Sequence, residues 1–146
     1  MEGSRIRACQ GHSRRNPYVD PEALEASWAC YEDDAPFYHG TACEHLPSIA
    51  RDGLQPMGRT HVHCAPSLDS VVGKRVAVAV MLAIDAVVLR GLGGRAFVAP
   101  NGVILTRFVP PPALVDLVPV TRRARAQAEE LRGLLDLPRS WHGTGP

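Results

Sequence analysis

Val76-Ala-Val-Ala-Val-Met-Leu-Ala-Ile84 decides how the rest of the chain is read. The run is apolar at odd and even positions alike, so a strand built from it has no solvent face and belongs at the centre of a covered sheet. Downstream, Arg95–Ala99 and Val103–Val109 flank Pro100-Asn101-Gly102. Asn-Gly between two apolar runs is the strongest short-range hairpin signal, so these two stretches are read as paired antiparallel strands. Pro110-Pro111-Pro112 closes the sheet region. Upstream, Thr60–Ala65 alternates, with Val62 and Cys64 on one face and His61 and His63 on the other. Phe37-Tyr38-His39-Gly40 reads as a short strand entering a turn.

Helical spacing fills the gaps between these strands. Asp20-Pro21 predicts a helix start, with aspartate as cap and proline in the first turn, and the helix is expected to run over Glu22–Cys30. Thr41-Ala42-Cys43-Glu44 has the pattern of a capping box. Leu46, Ile49 and Ala50 then recur at helical spacing until Arg51-Asp52-Gly53, where glycine is a natural stop. A helical turn is expected over Ser67–Val72. Residues 121–137 read as one amphipathic helix with Ala124, Ala128, Leu131 and Leu135 on one face. Short strands mixed with a few helices imply an α+β fold. The expected organisation is a single domain over residues 1–146, with 1–19 as an N-terminal arm and 121–146 as a C-terminal helix and tail.

Composition excludes little beyond the extremes. The 146 residues are 45% hydrophobic and 21% charged, with a formal net charge of +1. That balance argues against a strongly basic nucleic-acid binder, although arginines cluster locally. Arg5, Arg7, Arg14 and Arg15 crowd the first segment, and Arg122, Arg123, Arg125 and Arg132 a late one. Such clusters bind phosphate even when total charge is near zero; the late cluster reads more simply as a solvated helix face. No apolar run reaches the ~18 residues of a membrane span. The polar, basic N-terminus lacks the apolar segment of a secretory signal. Cys9, Cys30, Cys43 and Cys64 show no paired spacing and are read as free thiols. Cytoplasmic location and no membrane partner are the expectations.

Four segments gather the unusual polar residues: Arg7-Ala-Cys-Gln-Gly-His-Ser13, Tyr38-His-Gly-Thr41, Gly58-Arg-Thr-His-Val-His63 and Asn101-Gly-Val-Ile-Leu-Thr106. An aromatic followed by His-Gly-Thr where a strand meets a helix exposes backbone amides to a ligand, because glycine permits close approach. Arg59 precedes a strand bearing two histidines, and arginine suits bidentate phosphate recognition. Together these parts suit a phosphate-rich ligand with ribose hydroxyls. A metal site from His39, His61, His63 and Cys64 is disfavoured, because the strand turns Cys64 away from the histidines and no other ligand completes a tetrahedral set. No metal is expected.

The same segments carry a resemblance. In order along the chain stand Arg7-Ala8-Cys9-Gln10-Gly11-His12-Ser13, Tyr38-His39-Gly40-Thr41, Asp52-Gly53-Leu54, Gly58-Arg59-Thr60-His61-Val62-His63, Val72-Gly73-Lys74-Arg75 and Asn101-Gly102-Val103-Ile104-Leu105-Thr106 with Val109-Pro110-Pro111. This succession resembles the KptA family of RNA 2′-phosphotransferases. The resemblance implies an ADP-ribosyltransferase-like split β-sandwich with NAD⁺ as co-substrate in a cleft. It implies attack of an internal RNA 2′-phosphate on the nicotinamide ribose, release of nicotinamide, and closure to ADP-ribose 1″,2″-cyclic phosphate with a free RNA 2′-hydroxyl. Carried onto this chain, His39 with Gly40 and Thr41 would hold the nicotinamide riboside, and His63 would take a second cleft position. Gly53, Asn101 and Val103 would complete the cofactor-binding set. Val103, or its neighbour Ile104, would stand where other transferases have a catalytic glutamate; both read equally well as strand core. Arg7 and Arg59 would grip the phosphate and, with His39, form the catalytic set, while Gln10 and His12 would line the phosphate pocket. RNA bearing a 2′-phosphate, with tRNA among the candidates, and NAD⁺ are the implied partners.

Two departures shape the alternatives. The family carries an N-terminal lobe with an Arg-His pair, whereas six residues precede Arg7 here. The expectation is therefore either a standalone lobe with altered chemistry, or missing groups supplied by a protein partner or by the arm near Arg14 and Arg15. Cys9 and Cys64-Ala65 also replace the family's usual residues. The alternative functions are an ADP-ribosyltransferase that acts on a nucleic-acid phosphate end without the second step, and a non-catalytic NAD or ADP-ribose binding module.

Overall fold

A computed structural model describes residues 20–69 and 78–137 of the chain. Its architecture grows from strand β4 (Val80–Ile84), buried at every position. With no solvent face available, β4 takes the middle of a three-stranded antiparallel sheet. Strand β2 (Phe37–Thr41) pairs on one side in the register Phe37↔Ile84 to Thr41↔Val80. On the other side lies β7 (Leu114–Pro119), with a shift in register between Ala83 and Ile84. The expectation of a central, covered strand is met over these residues; the start of the run, Val76 and Ala77, lies outside the described part.

The second sheet is four-stranded and antiparallel, in the order β1 (Ala29–Cys30), β5 (Ala96–Val98), β6 (Ile104–Thr106) and β3 (Val62–Cys64). The Asn-Gly signal holds: β5 and β6 pair through Phe97↔Leu105, and Gly102 takes φ +93° in the turn. A two-residue bridge joins the sheets. Tyr38 and Ala65 exchange both backbone hydrogen bonds, at 2.9 and 2.7 Å. That bridge sets the end of β3 beside β2, and so brings the Tyr-His-Gly-Thr and Gly-Arg-Thr-His-Val-His segments together. The main core, around Phe37, Leu46, Leu82, Ile84 and Leu117, is fully enclosed. Each such side chain contributes about 1.5–3 kcal/mol over remaining exposed.

Helix α1 (Pro21–Ala26) starts as expected, with Asp20 accepting from the Glu22 N–H. It stops four residues before Cys30, because Ala29 and Cys30 leave it to pair with Val98 and Phe97 as the edge strand β1. Trp28, between the two, is buried edge-on against His61. Before helix α2 (Leu46–Asp52) comes a 3₁₀ turn at Cys43–His45, capped by Ala42 without any side-chain bond. The capping box therefore does not form: Thr41 is the last residue of β2, and its carbonyl accepts from Ala79 N–H. Gly53 ends α2 at φ +79°, as its type predicts; a Cβ there would stand 2.2 Å from the Val109 carbonyl oxygen. Helix α3 (Ala86–Gly91) is capped by Asp85.

The helix expected over 121–137 is two helices, α4 (Arg122–Ala126) and α5 (Ala128–Leu134), broken at Gln127 (φ −109°, ψ 16°). The bend lets Ala124 and Leu131 both reach the core. It also buries Arg132, which the sequence placed on a solvated face: its guanidinium pairs with Asp116 at 2.5 Å and donates to the Leu117 carbonyl at 2.8 Å. Of the helical turn expected over Ser67–Val72, Ser67 forms a bend and Leu68–Asp69 a turn, and residues 70–72 fall outside the described residues. The α+β class stands, built on two antiparallel sheets. No helix among the described residues is long and apolar enough to cross a membrane.

Candidate functional site

The seam between β2 and β3 opens into a cleft of about 720 Å³. That is within the ~300–1,000 Å³ range of small-molecule sites. Alternation along β2 turns His39 and Thr41 toward it, while β3 contributes His63 and the turn before β3 contributes Arg59. The His39 imidazole is oriented by its own neighbour: Nδ1–H donates to the His63 carbonyl at 2.9 Å. In the neutral ring this bond fixes the proton on Nδ1 and makes Nε2 the acceptor nitrogen. The Arg59 guanidinium lies against the His63 ring, with Nη1 3.3 Å from Nε2 and 3.5 Å from Nδ1. Three of the polar residues singled out in sequence, His39, Arg59 and His63, are thus physically linked. Thr41 and Gly53 line the same cleft.

Other expected site residues fare differently. Val103 lines the cleft, yet only 2% of it is exposed, and it packs with Trp28, Phe97 and Leu105. Ile104 is main-core and does not reach the cleft. Asn101 is spent on the hairpin, its Oδ1 accepting from Val103 N–H at 3.2 Å, and it is not among the cleft-lining residues. Packing alone already restricts Gly40: a Cβ there would come within 2.7 Å of the Val78 side chain. Arg7, Gln10 and His12 lie outside the described residues.

His61 corrects the reading of its motif. It precedes β3 instead of sharing a strand face with His63, and its side chain is wholly buried. Its Nε2 lies 2.6 Å from Glu25 Oε2 and its Nδ1 2.9 Å from Thr60 Oγ1. The consistent assignment has Nε2–H donating to the carboxylate and the threonine hydroxyl donating to Nδ1. Arg107 closes the network, giving Nε and Nη2 to Glu25 at 2.6 and 2.9 Å. Burial pushes the Glu25 carboxyl up, but hydrogen bonds from Arg107 and His61 together outweigh it and hold the group below its ordinary value. Burial lowers the His61 imidazole, against the pull of Glu25. A neutral histidine wedged on a carboxylate here fixes the foot of β3, where Arg59 and His63 sit on either side.

Helix α2 also faces the cleft through Ser48 and Asp52, and the 3₁₀ turn before it does so through His45. Sequence reading missed them, although their spacing by three and four residues was the available signal for a common helix face. On the opposite side of the strand from His63, Cys64 is fully enclosed, and burial pushes its thiol far above the ordinary range. Such a thiol is no nucleophile. Across the described residues, no three His, Cys, Asp or Glu side chains gather as a metal site would need.

The family model described as RNA 2′-phosphotransferase, Tpt1 / KptA family, matches residues 1–108. A protein of Burkholderia lata named "Probable RNA 2′-phosphotransferase" is 41% identical over 116 residues, covering 75% of this chain and 54% of that protein. A Streptomyces coelicolor protein of the same name is 38% identical over 112 residues, or 75% and 57% of the two chains. One from Acaryochloris marina is 36% identical over 123 residues, or 80% and 61%. The chain therefore spans little more than half the length of these relatives.

Proposed function

The chain belongs to the RNA 2′-phosphotransferase, Tpt1 / KptA family, and from that premise we propose that the β2–β3 cleft binds NAD⁺ and transfers an RNA 2′-phosphate to it. Nicotinamide and ADP-ribose 1″,2″-cyclic phosphate are the products released. The observation that carries the reading is the contact of Arg59 with His63 beside an oriented His39, in a cleft large enough for a nucleotide.

The residues present suit such a ligand. A few polar groups on a partly apolar lining, with Ile49, Leu54 and Val62 among the apolar ones, is the usual make-up of a nucleotide site. Arg59 offers a planar fork of donors to phosphate oxygens. His39, held through Nδ1, would present Nε2 to a ribose hydroxyl, with the Thr41 hydroxyl beside it. Bound NAD⁺ would supply an electrophilic ribose carbon with nicotinamide as leaving group. The chain's own part is then positioning and charge stabilisation, which is most of what catalysis at phosphate demands. The pair of antiparallel sheets bridged at Tyr38–Ala65 supports an ADP-ribosyltransferase-like split β-sandwich. RNA with a 2′-phosphate is the proposed substrate and the cytoplasm the proposed location. A protein partner that supplies a further lobe is also proposed, because the match covers only 54–57% of the length of the Burkholderia and Streptomyces relatives.

Incubation with NAD⁺ and an RNA carrying one internal 2′-phosphate, followed by mass analysis, tests this. RNA lighter by one phosphate, together with ADP-ribose cyclic phosphate, is the expected result. RNA heavier by an ADP-ribosyl group would instead identify a transferase that stops after the first step. Bound NAD⁺ with no change in either molecule would reduce the cleft to a binding module.

A further inference from the structure

The turn Pro56–Arg59 holds a residue type that its backbone disfavours. Arg59 N–H donates to the Pro56 carbonyl at 3.2 Å, and both central residues have positive φ, Met57 at 62° and Gly58 at 115°. This is the pattern of a type I′ turn, where glycine, asparagine and aspartate are at ease. Gly58 satisfies it; Met57 does not. Among the described residues the other non-glycine at positive φ is Asp136, a type that tolerates the left-handed region. A methionine there carries a conformational cost that an asparagine would not.

The fold does not reward the methionine. Its side chain is 76% exposed, more than any other large apolar residue described. A single exposed methionine is ordinary; one held in the left-handed region is not. What Met57 does touch is the cleft, which it lines beside Arg59 and Gln55. Strained residues persist at ligand sites because function maintains them. A thioether is well suited to lie against an aromatic ring, and its unbranched stem adapts to the ring's position. A nucleotide gripped at its phosphate by Arg59 presents its base one ribose away, within reach of a side chain two residues along the same turn.

We propose that Met57 is a specificity-determining contact that covers a flat heteroaromatic base, adenine or nicotinamide, of the dinucleotide in the cleft. The inference rests on the NAD⁺ reading above and deepens it. It requires that Met57 cost the fold something and return it in binding.

Calorimetric titration and thermal melting of the full chain, wild type against Met57→Asn and Met57→Leu, test both halves. Met57→Asn should melt about 2–4 °C higher, as release of backbone strain predicts for a domain of this size. It should bind NAD⁺ about five- to tenfold more weakly, the range of one sulfur–aromatic contact. Met57→Leu, which keeps the apolar bulk but not the sulfur, should weaken binding by less than Met57→Asn. ADP-ribose and nicotinamide mononucleotide assign the base: weakening shared with ADP-ribose alone marks adenine, and weakening shared with the mononucleotide alone marks nicotinamide. Unchanged affinity in Met57→Asn for NAD⁺, with wild type binding well, overturns the inference and leaves the proposed function standing. A lowered melting temperature also overturns it, because Met57 would then support the fold. Failure of wild type to bind NAD⁺ at all would remove the proposed function, and the inference with it.

Discussion

His61 and His63 stand two residues apart in one short segment and end in unlike surroundings. His61 is sealed under Trp28, held between Glu25 and Thr60, and kept neutral by burial. His63 is partly open, lies against the Arg59 guanidinium, and lends its carbonyl to His39. Both rings border the cleft, but His61 does so as a wholly buried group fastened to helix α1 through Glu25, whereas His63 stands beside Arg59 on its open side. The difference teaches that spacing identified the segment but not the task of each residue in it. Partners distant in sequence assign the tasks.

If the comparison holds, the largest effect comes from the open side. Arg59→Ala should cut product formation by about 10²–10³-fold, the usual loss when one charge-stabilising donor is removed. Melting should barely move, since exposed substitutions of this kind stay within about 0.5 kcal/mol. A collapse of the fold in Arg59→Ala would erase the distinction between the two sides.

Next comes the sealed side. Glu25→Ala leaves the buried His61 without its carboxylate, while half-exposed Arg107 turns to solvent, and should destabilise the chain by about 1–3 kcal/mol in urea titration. At temperatures where the variant stays folded, turnover should fall much less than in Arg59→Ala. Equal losses of turnover in both variants would mean that Glu25 takes part in the chemistry.

A subtler sharpening uses pH. The folded chain keeps His61 neutral below its ordinary value of 6.5, while the unfolded chain takes up the proton. Stability therefore declines as pH falls from above 6.5 toward the folded value. Glu25, held below 4.5, acts with the same sign: its contribution is full above 4.5 and is lost as pH falls through the folded value. Denaturation midpoints should drop between pH 7 and pH 5, and His61→Gln should flatten that drop. The smallest effect concerns the back of the strand. Iodoacetamide at pH 8 should alkylate exposed Cys30 and spare enclosed Cys64 until the chain unfolds.

Legibility in the sequence followed the range of the forces involved. The covered β4, the Asn-Gly hairpin and the stop at Gly53 were readable because each is set by local chemistry: burial on both faces, a turn type, a positive φ. The meeting of His39, Thr41, Arg59 and His63 was foreseen from motif residues in order, and the Tyr38–Ala65 bridge is its physical means. The Glu25 network was not readable, since it ties residues 36 and 82 positions apart. Asn101 was read for a ligand from its motif, whereas its Oδ1 accepts from its own turn, a local use that the motif does not reveal. The break at Gln127 escaped notice because the helical periodicity continues across it while the core asks for a bend. The placing of α2 over the cleft is likewise tertiary, which is why His45, Ser48 and Asp52 were missed.

The most direct test of the account is a crystal structure of the chain soaked with ADP-ribose. The account predicts density in the β2–β3 cleft, with a phosphate on Arg59 and a ribose hydroxyl on His39. Ligand bound elsewhere, or in the cleft without contact to either residue, would contradict it.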